Sequence, residues 1–201
     1  MLKLRYSSAS PFVRKVLVSA HETGLIDRIE IAPADVWAPD SDIFQDNPLG
    51  KVPSLVTPDG TFIGSALCCE YLDTLHDGRR LIPIVPVERW PVFQLHALAD
   101  GMMDAAVAHV IEQLRRPQAF VYQPFLERQL GKIQRALDAI EVQANTFGER
   151  VDLGTIALGC ALGYLDLRLP QLEWRQSRAR LSQWEAAFAQ RPSMAATTPY
   201  L

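Results

Sequence analysis

Apolar and polar residues follow two different rhythms along the chain, and the change falls near residue 77. In the first part, short apolar runs alternate with helical periodicity, which is typical of strands and helices in turn. After residue 87 strand signals largely vanish and helical periodicity remains. The pattern predicts strands over 2–6, 29–32, 52–57 and 61–63, and helices over 11–22, 65–75, 88–116, 125–147, 152–167 and 178–190.

This order of elements predicts two domains. Residues 1–77 should form a small α/β domain with a mixed sheet, and residues 87–201 an all-α helical bundle. The stretch 78–86 between them holds two prolines, one glycine and two arginines, which is typical of a linker. A Pro-Asp-Gly turn at 58–60 joins the last two strands. We interpret 36–45, which is rich in aspartate and proline, as irregular.

The composition excludes several classes of function. With 48% hydrophobic residues, the chain can bury a core and is too apolar for a disordered protein. Its 20 basic and 23 acidic residues give a net charge of -3, without the basic excess that non-specific nucleic-acid binding needs. The most apolar run, 155–165, is shorter than the roughly 20 residues that a membrane span requires.

Two further features indicate the compartment. The first ten residues lack the apolar stretch of a secretory signal. Three cysteines are an odd number without framework spacing, which is typical of a reducing environment. We therefore expect a cytoplasmic protein that has neither a membrane nor a nucleic acid among its partners.

The first candidate for chemistry is the segment Ser10-Pro11-Phe12-Val13, where the first strand meets the first helix. A helix N-terminus offers unpaired N–H groups and a positive dipole end, which stabilise an anion. A hydroxyl at the cap can donate a hydrogen bond to a thiolate or an oxyanion. The same residues also make an ordinary N-cap, because serine before proline suits that position.

The second candidate is the segment 47–55, which reads Asn-Pro-Leu-Gly-Lys-Val-Pro-Ser-Leu. Pro53 has no N–H for a sheet, so it belongs at the start or the edge of a strand. A cis peptide bond there would leave the backbone groups of Val52 free to pair with an extended ligand. The alternative is a plain entry from a loop into a strand.

The third candidate is Gly64-Ser65-Ala66, which opens a helix with Ser65 as its expected cap. Unpaired N–H groups together with the Ser65 hydroxyl would form a site suited to a carboxylate. Taken alone, the segment also fits an ordinary capped helix.

In this order and at this spacing, the segments 6–15, 47–55 and 59–65 resemble the N-terminal domain of the bacterial, serine-type cytosolic glutathione S-transferases. The segments 99–104 and 156–166 resemble the helical domain of the same family. The resemblance covers nearly the whole chain. It implies a thioredoxin-like domain followed by a helical domain, usually in a homodimer, with glutathione as co-substrate and no metal.

The resemblance assigns the thiol-activating role to Ser10, which stands four residues before Arg14. The Ser10 hydroxyl would donate to the glutathione sulfur and favour the thiolate, which is the nucleophile. Ser7 and Ser8 remain rivals because the register of the loop is not determined by the sequence. Tyr6 is disfavoured, since tyrosine-type classes place more residues between that tyrosine and the arginine. No cysteine stands at either end of 10–13, so dithiol exchange there is excluded.

The resemblance also assigns glutathione-binding positions. The Val52 backbone would pair with the cysteinyl part of glutathione, with Pro53 as the family's cis-proline. Ser65 would bind the γ-glutamyl carboxylate. Lys51 would meet the glycyl carboxylate or be solvated. Asp104 would reach the γ-glutamyl amine across the dimer, or act at the interface or as a cap.

Two positions depart from the family pattern. The family usually has Glu, Gln or Asp before the serine of the third helix, whereas this chain has Gly64. Losing a charge-assisted hydrogen bond removes about 1.5–3 kcal/mol, or roughly ten- to a hundredfold in affinity. Further along, Asp152 and Thr155 are exchanged relative to the usual Ser/Thr-x-x-Asp, for which we expect a structural effect only.

The remaining chemistry-bearing side chains are expected to have lesser roles. Phe12, Met102 and Met103 are candidates for the electrophile pocket, with a core or interface role as the alternative. Cys68 and Cys69 are adjacent and lack a Cys-x-x-Cys partner, and Cys160 lies in an apolar helix. The four histidines show no i, i+4 pairing, so we expect no metal site. Arg115, Arg116 and Tyr164 are interpreted as packing or surface residues.

The sequence thus predicts a glutathione transferase, in which the activated sulfur attacks a small hydrophobic electrophile, as in detoxification. The alternative is a binding or interaction scaffold of the same fold without transferase activity, which Gly64 favours. A disulfide reductase is a third hypothesis, which the lack of a cysteine at Ser10 disfavours.

Overall fold

The structure, a computed structural model, describes residues 1–200. Its strands are β1 (Leu2–Tyr6), β2 (Ile29–Pro33), β3 (Ser54–Thr57) and β4 (Gly60–Ile63). Its helices are α1 (Pro11–Glu22), α2 (Ile43–Asp46), α3 (Ser65–Asp73), α4 (Pro86–Arg115), α5 (Gln123–Gln143), α6 (Leu153–Arg168), α7 (Ala179–Phe188) and α8 (Pro192–Ala196).

The four strands form one mixed sheet in the order β2-β1-β3-β4. β1 runs parallel to β2, with Leu4 opposite Ile31, and antiparallel to β3, with Leu4 opposite Leu55. The parallel pair is connected through α1, and α1 and α3 contact each other. Leu4, Leu55 and Val16 are fully buried between the sheet and these helices. This confirms the predicted fold class, an α/β domain with a mixed sheet followed by an all-helical region.

α6 lies at the centre of the molecule, in contact with α1, α4 and α7. Its glycines permit this close packing. A Cβ at Gly154 would lie 2.7 Å from the Val92 carbonyl oxygen of α4, and one at Gly163 would lie against the Arg14 guanidinium of α1. Arg14 also donates to the Met194 carbonyl at 3.1 Å. α6 therefore joins the sheet-containing part to the helical part.

The N-terminus of α6 has the exchanged capping pair that the sequence contains. The Asp152 carboxylate accepts from the Thr155 N–H at 2.9 Å, and the Thr155 hydroxyl accepts from the Asp152 N–H at 3.0 Å. This is a complete capping box with the two residue types in swapped positions. The structural role expected for the exchange is confirmed.

The structure differs from the predictions at several elements. β3 begins at Ser54 and not at 52, and α5 ends at Gln143 and not at 147. The cap of α3 is Gly64 and not Ser65, because the backbone turns at Gly64 with φ of 84° and Ser65 is already helical. α2 lies within the segment interpreted as irregular, and α8 was not predicted. Both helices are only four or five residues long, too short for periodicity to show.

The stretch 74–85 has no helix or strand, but it is held to the first half at a definite point. Both carboxylate oxygens of Asp73, at the end of α3, accept backbone N–H groups, from Leu81 at 2.7 Å and Ile82 at 3.1 Å. Leu81 and Ile82 are themselves buried. The domain limits at 77 and 87 stay a prediction. In the described part of the chain, every helix is too short or too polar to cross a bilayer.

Candidate functional site

A cavity of about 480 Å³, which we call the main cavity, opens between the first half of the chain and the helical half. Two segments of the first half, over 7–12 and 49–52, form one wall together with Val36 and Trp37. α4 and α6 form the other wall. Of the residues predicted for the site, those that line it are Ser10, Phe12, Lys51, Val52 and Asp104.

Ser10 is the N-cap of α1, as predicted. Its backbone is extended, with φ of -80° and ψ of 117°, and its Oγ accepts the Val13 N–H at 3.2 Å. Among the described residues nothing accepts the proton of this hydroxyl. The group therefore keeps one donor free at a helix N-terminus, next to the main cavity.

The neighbouring hydroxyls are placed differently. Ser7 also lines the main cavity, whereas Ser8 lines a smaller cavity of about 80 Å³. Ser7 and Ser10 each line both cavities. Tyr6 lies on the smaller cavity, where burial and its hydrogen bond with Tyr200 raise the pKa of its phenol to about 12. Ser10 and Ser7 thus remain as serine hydroxyls on the main cavity, and Ser8 and Tyr6 lie outside its lining.

The second loop is shaped by the buried side chain of Asn47. Its amide donates to the Lys51 carbonyl at 2.8 Å, and its oxygen accepts the Leu49 N–H at 2.9 Å. The turn passes through Gly50 with φ of 62°, where a Cβ would collide with the ring of Phe44. Asparagine and glycine therefore fix the direction in which the chain enters β3.

This loop ends in a cis peptide bond between Val52 and Pro53. Val52 precedes β3 and lies outside the sheet ladder. Within the described part of the chain its N–H and C=O make no backbone hydrogen bond. These two groups are therefore available to an extended ligand on the main cavity.

Ser65, Gly64 and Pro53 lie outside the lining of the main cavity. Ser65 is the first residue of α3 and is nearly buried, and its hydroxyl has no hydrogen-bond partner among the described residues. Because Gly64 has φ of 84°, a residue with a side chain would be strained there. This conformation explains a glycine at the position where the family resemblance led us to expect an acidic or amide side chain.

Lys51 and Asp104 lie on opposite walls of the main cavity. Partial burial and the charge of Asp100 raise the pKa of Asp104, and the charges of Lys51 and Lys15 oppose this shift. Asp104 lines the main cavity of its own chain, and its predicted contact across a dimer stays a prediction.

Behind the site, a buried lysine connects the two walls. Lys15 of α1 is fully buried, and its Nζ lies 2.8 Å from His96 Nε2 and 2.5 Å from Asp100 Oδ1, both on α4. Burial and the charge of Lys15 lower the pKa of His96 to about 4, so its ring is neutral and accepts from the ammonium. No sequence signal marks this network, because Lys15 stands 81 and 85 residues from its two partners.

The apolar wall comes from one face of α4. Val107, Val110, Ile111 and Leu114 have the i, i+3, i+4, i+7 spacing of a helix face, and all four line the main cavity beside Phe12. Met102 and Met103 do not line it, which corrects their assignment to the electrophile pocket. Both are 1% exposed, because they pack into the core of the helical half.

Arginine and aromatic residues without an assigned site role in the sequence also line the main cavity. Tyr164 and Arg168 lie on α6, and Arg115 lies at the end of α4. The Arg115 guanidinium lies 4.4 Å from the ring centroid of Trp37, a residue of the first half. No local motif marks these side chains, since their placement depends on the packing of distant segments.

The three cysteines are buried free thiols. Burial raises the pKa of Cys68 to about 12, and the pKa values of Cys69 and Cys160 to about 11. Such thiols are protonated at neutral pH and therefore poor nucleophiles. In the part of the chain that the structure describes, no cluster of three or more His, Cys, Asp or Glu residues could hold a metal ion.

Comparison with known families gives two matches. Residues 9–75 match the family model described as the N-terminal domain of glutathione S-transferase, and residues 123–187 match the model for its C-terminal domain. The first match contains the loops that carry Ser10 and Val52. The second covers α5, α6 and most of α7.

Individual relatives match along the whole chain. An uncharacterized GST-like protein of Escherichia coli K12, YibF, is 37% identical over 202 residues, 98% of each chain. A glutathione transferase family member from Pseudomonas fluorescens Pf-5, solved with bound glutathione, is 40% identical, with a TM-score of 0.95 over 100% of both chains. A second structure from that organism holds S-(propanoic acid)-glutathione, with a TM-score of 0.91 at 40% identity over 99% of this chain and 100% of that chain.

Proposed function

The chain belongs to the glutathione S-transferase family, and from this premise we propose that it activates the thiol of glutathione for attack on a small hydrophobic electrophile. The observation that carries the proposal is the meeting of three groups on one cavity. These groups are the free hydroxyl donor of Ser10, the N-terminus of α1 behind it, and the unpaired backbone of Val52.

The proposed binding mode follows from these groups. The Val52 N–H and C=O pair with the cysteinyl backbone of glutathione, which directs the sulfur toward Ser10. Ser65 binds the γ-glutamyl carboxylate at the N-terminus of α3, and Lys51 meets the glycyl carboxylate. Asp104 reaches the γ-glutamyl amine across the proposed dimer and neutralises it. Phe12 and the apolar face of α4 hold the electrophile.

The proposed role of Ser10 is to hold the sulfur as a thiolate. A hydrogen bond to the charged form, together with the positive end of α1, lowers the pKa of the thiol from its ordinary value of about 8.5. A shift of about two pKa units corresponds to roughly 2.7 kcal/mol, which one hydroxyl and a helix end can supply. The thiolate fraction near pH 7 is then far larger than in free glutathione.

The relatives support this proposal at the level of the ligand. A chain that is 40% identical binds glutathione, and the same organism's structure holds a glutathione conjugate. We also propose a cytoplasmic homodimer, with the start of α4 at the interface. This is supported by the exposure of Val87 and Trp90 there, at 76% and 67%.

One observation favours a second candidate, a scaffold of this fold without transferase activity. Gly64 has no side chain to contact the γ-glutamyl amine. Glutathione affinity therefore depends on whether Asp104 and Ser65 suffice.

Calorimetric titration of the purified protein with reduced glutathione separates the two candidates. We expect binding between micromolar and low-millimolar concentrations, followed by turnover in an electrophile screen. No binding up to about ten millimolar would favour the scaffold. A dissociation constant of 1 mM already corresponds to a binding free energy of only about 4 kcal/mol, so a still weaker site would hold little glutathione. Ser65→Ala should weaken binding, whereas Ser8→Ala, on the smaller cavity, should leave it unchanged.

A further inference from the structure

The main cavity carries more positive charge than the proposed glutathione contacts use. Lys51, Arg115 and Arg168 line the cavity, against the single carboxylate of Asp104. Lys51 has an assigned partner, and Arg115 lies over the ring of Trp37. Arg168 is in no ion pair among the described residues, where other arginines such as Arg175 and Arg191 are paired.

Arg168 is also incomplete as a hydrogen-bonding group. Its Nε is buried and has no partner in the described part of the chain. A buried donor without an acceptor is unfavourable, so such a group is rare unless a ligand completes it. Tyr164 lies one helical turn earlier on α6 and lines the same cavity, so the two side chains share one helix face.

Tyr164 is suited to donate beside this guanidinium. Burial raises the pKa of its phenol, and the nearby charge of Arg168 offsets this only in part. The phenol therefore keeps its proton at neutral pH. A planar guanidinium with a neighbouring hydroxyl donor matches the geometry of a carboxylate.

The surface next to this pair is apolar. Val107, Ile111 and Leu114 of α4 line the cavity together with Arg168 and Tyr164. A ligand that fills the part of the cavity between α4 and α6 would place an apolar body against α4 and an anionic group at Arg168 and Tyr164. A neutral apolar ligand would leave the buried Nε of Arg168 without an acceptor.

We propose that Arg168 and Tyr164 form a carboxylate subsite, which selects small apolar electrophiles that carry an acid group. The proposal rests on the proposed function and specifies its substrate class. The pair binds and orients the substrate and does not take part in bond exchange. With 4-chloro-3-nitrobenzoate as probe, the glutathione sulfur attacks the carbon that bears chlorine. The C–S bond forms, the C–Cl bond breaks, chloride leaves with the bonding pair, and the thiol proton passes to solvent.

The kinetic test compares this probe with its neutral amide, 4-chloro-3-nitrobenzamide. Arg168→Gln should lower kcat/KM for the benzoate by about ten- to a hundredfold, through KM, and change the benzamide value by less than about threefold. Tyr164→Phe should give a smaller loss with the benzoate only, and Arg168→Lys a partial one. Arg116→Gln is the matched control, since Arg116 pairs with Glu112 and does not line the cavity. Equal losses with both probes would overturn the proposal.

A binding measurement decides the matter without turnover. S-(carboxymethyl)glutathione and S-(carbamoylmethyl)glutathione differ in the group that ends the substituent on sulfur. The first has a charged carboxylate, and the second has a neutral amide of about the same size. In calorimetry, the wild type should bind the carboxymethyl conjugate about tenfold more tightly than the carbamoylmethyl conjugate. The Arg168→Gln variant should bind the two conjugates with equal affinity. Equal affinities in the wild type would overturn the subsite and leave the proposed function standing. If neither conjugate nor glutathione binds, the proposed function fails and the subsite fails with it.

Discussion

The two walls of the main cavity present different chemistry. The wall from the first half offers a helix N-terminus, a hydroxyl cap and unpaired backbone groups at Ser10 and Val52. The wall from α4 and α6 offers side chains, which are apolar along α4 between Asp104 and Arg115 and cationic at Arg168. Backbone and helix-end groups suit a ligand that is always the same, because they change little with substitution. Side chains suit a partner whose chemistry differs between relatives.

This difference has a consequence for variants. Substitutions that change the groups of Ser10 and Val52 on the first wall should affect glutathione and therefore every electrophile alike. Substitutions along the apolar face of α4 or at Arg168 should affect one electrophile more than another. Lys15 connects the walls, since it extends from α1 to His96 and Asp100 of α4.

The largest expected effect is on stability, at the connection between the walls. Asp100→Asn removes the carboxylate beside the buried Lys15 ammonium. Breaking a buried ion pair in this way lowers the free energy of unfolding by about 3–5 kcal/mol. We expect a loss near the low end of this range because Asp100 is partly exposed. Denaturant unfolding measures it, with the exposed Asp40→Asn as control. If Lys15→Met in the Asp100→Asn background fails to recover stability, the loss does not come from an unpaired charge.

The next largest effect is on catalysis, at the first wall. Ser10→Ala should lower kcat/KM near pH 7 by about 25-fold for every electrophile, because a rise in the thiol pKa from about 6.5 to about 8.5 lowers the thiolate fraction from roughly three quarters to about 3%. The dissociation constant of glutathione should change much less. The variant also loses its helix cap, about 1 kcal/mol, so folding is checked by circular dichroism. Ser8→Ala should keep full activity, and a comparable loss in Ser7→Ala alone would transfer the role to Ser7.

The placement of these groups shows what the sequence could and could not predict. Ser10, Asn47 and Pro53 act through helix ends, turns and strand entry, which local residue types specify. Their motifs were therefore recognisable, and each predicted helix begins within two residues of its counterpart in the structure. Lys15 and Arg168 depend on which helices pack together, and nothing local encodes that.

The methionine pair illustrates the same limit. Met102 and Met103 lie on the correct helix, yet the packing of α4 turns them into the core and brings Val107 and Ile111 to the cavity. Periodicity predicts that a helix has an apolar face. It does not predict which part of that face is covered by other helices and which part lines a cavity.

A smaller effect concerns the pH dependence of the connection. The pKa of His96 is about 4 in the folded protein and 6.5 ordinarily, so the unfolded chain binds its proton more tightly. His96 therefore contributes stability above pH 6.5, and this is lost as the pH falls toward 4. The melting temperature of the wild type should fall more steeply over this range than that of His96→Gln. Each kcal/mol lost from the free energy of unfolding lowers the melting temperature by about 2–4 °C in a chain of this size. If the melting temperatures of the wild type and His96→Gln fell in parallel with pH, His96 would not be the group that causes this pH dependence.

The smallest effect lies on the apolar wall. Ile111→Ala shortens a side chain on the cavity and should lower kcat/KM for an apolar electrophile by about fourfold, the effect of about one methylene group that no longer packs against it. Glutathione binding should not change, since Ile111 is not among its proposed partners. Val142→Ala, on the exposed face of α5, is the matched control. A change in glutathione affinity in Ile111→Ala would contradict the division between the walls.

The ionisation of bound glutathione tests the central claim most directly. The thiolate absorbs in the ultraviolet, so a pH titration of the complex reports the pKa of the bound thiol. We predict a value about two pKa units below the 8.5 of the free thiol in the wild type, and a return toward 8.5 in Ser10→Ala. A bound thiol that titrates like free glutathione, or one that the Ser10→Ala substitution leaves unchanged, would contradict the assignment of Ser10.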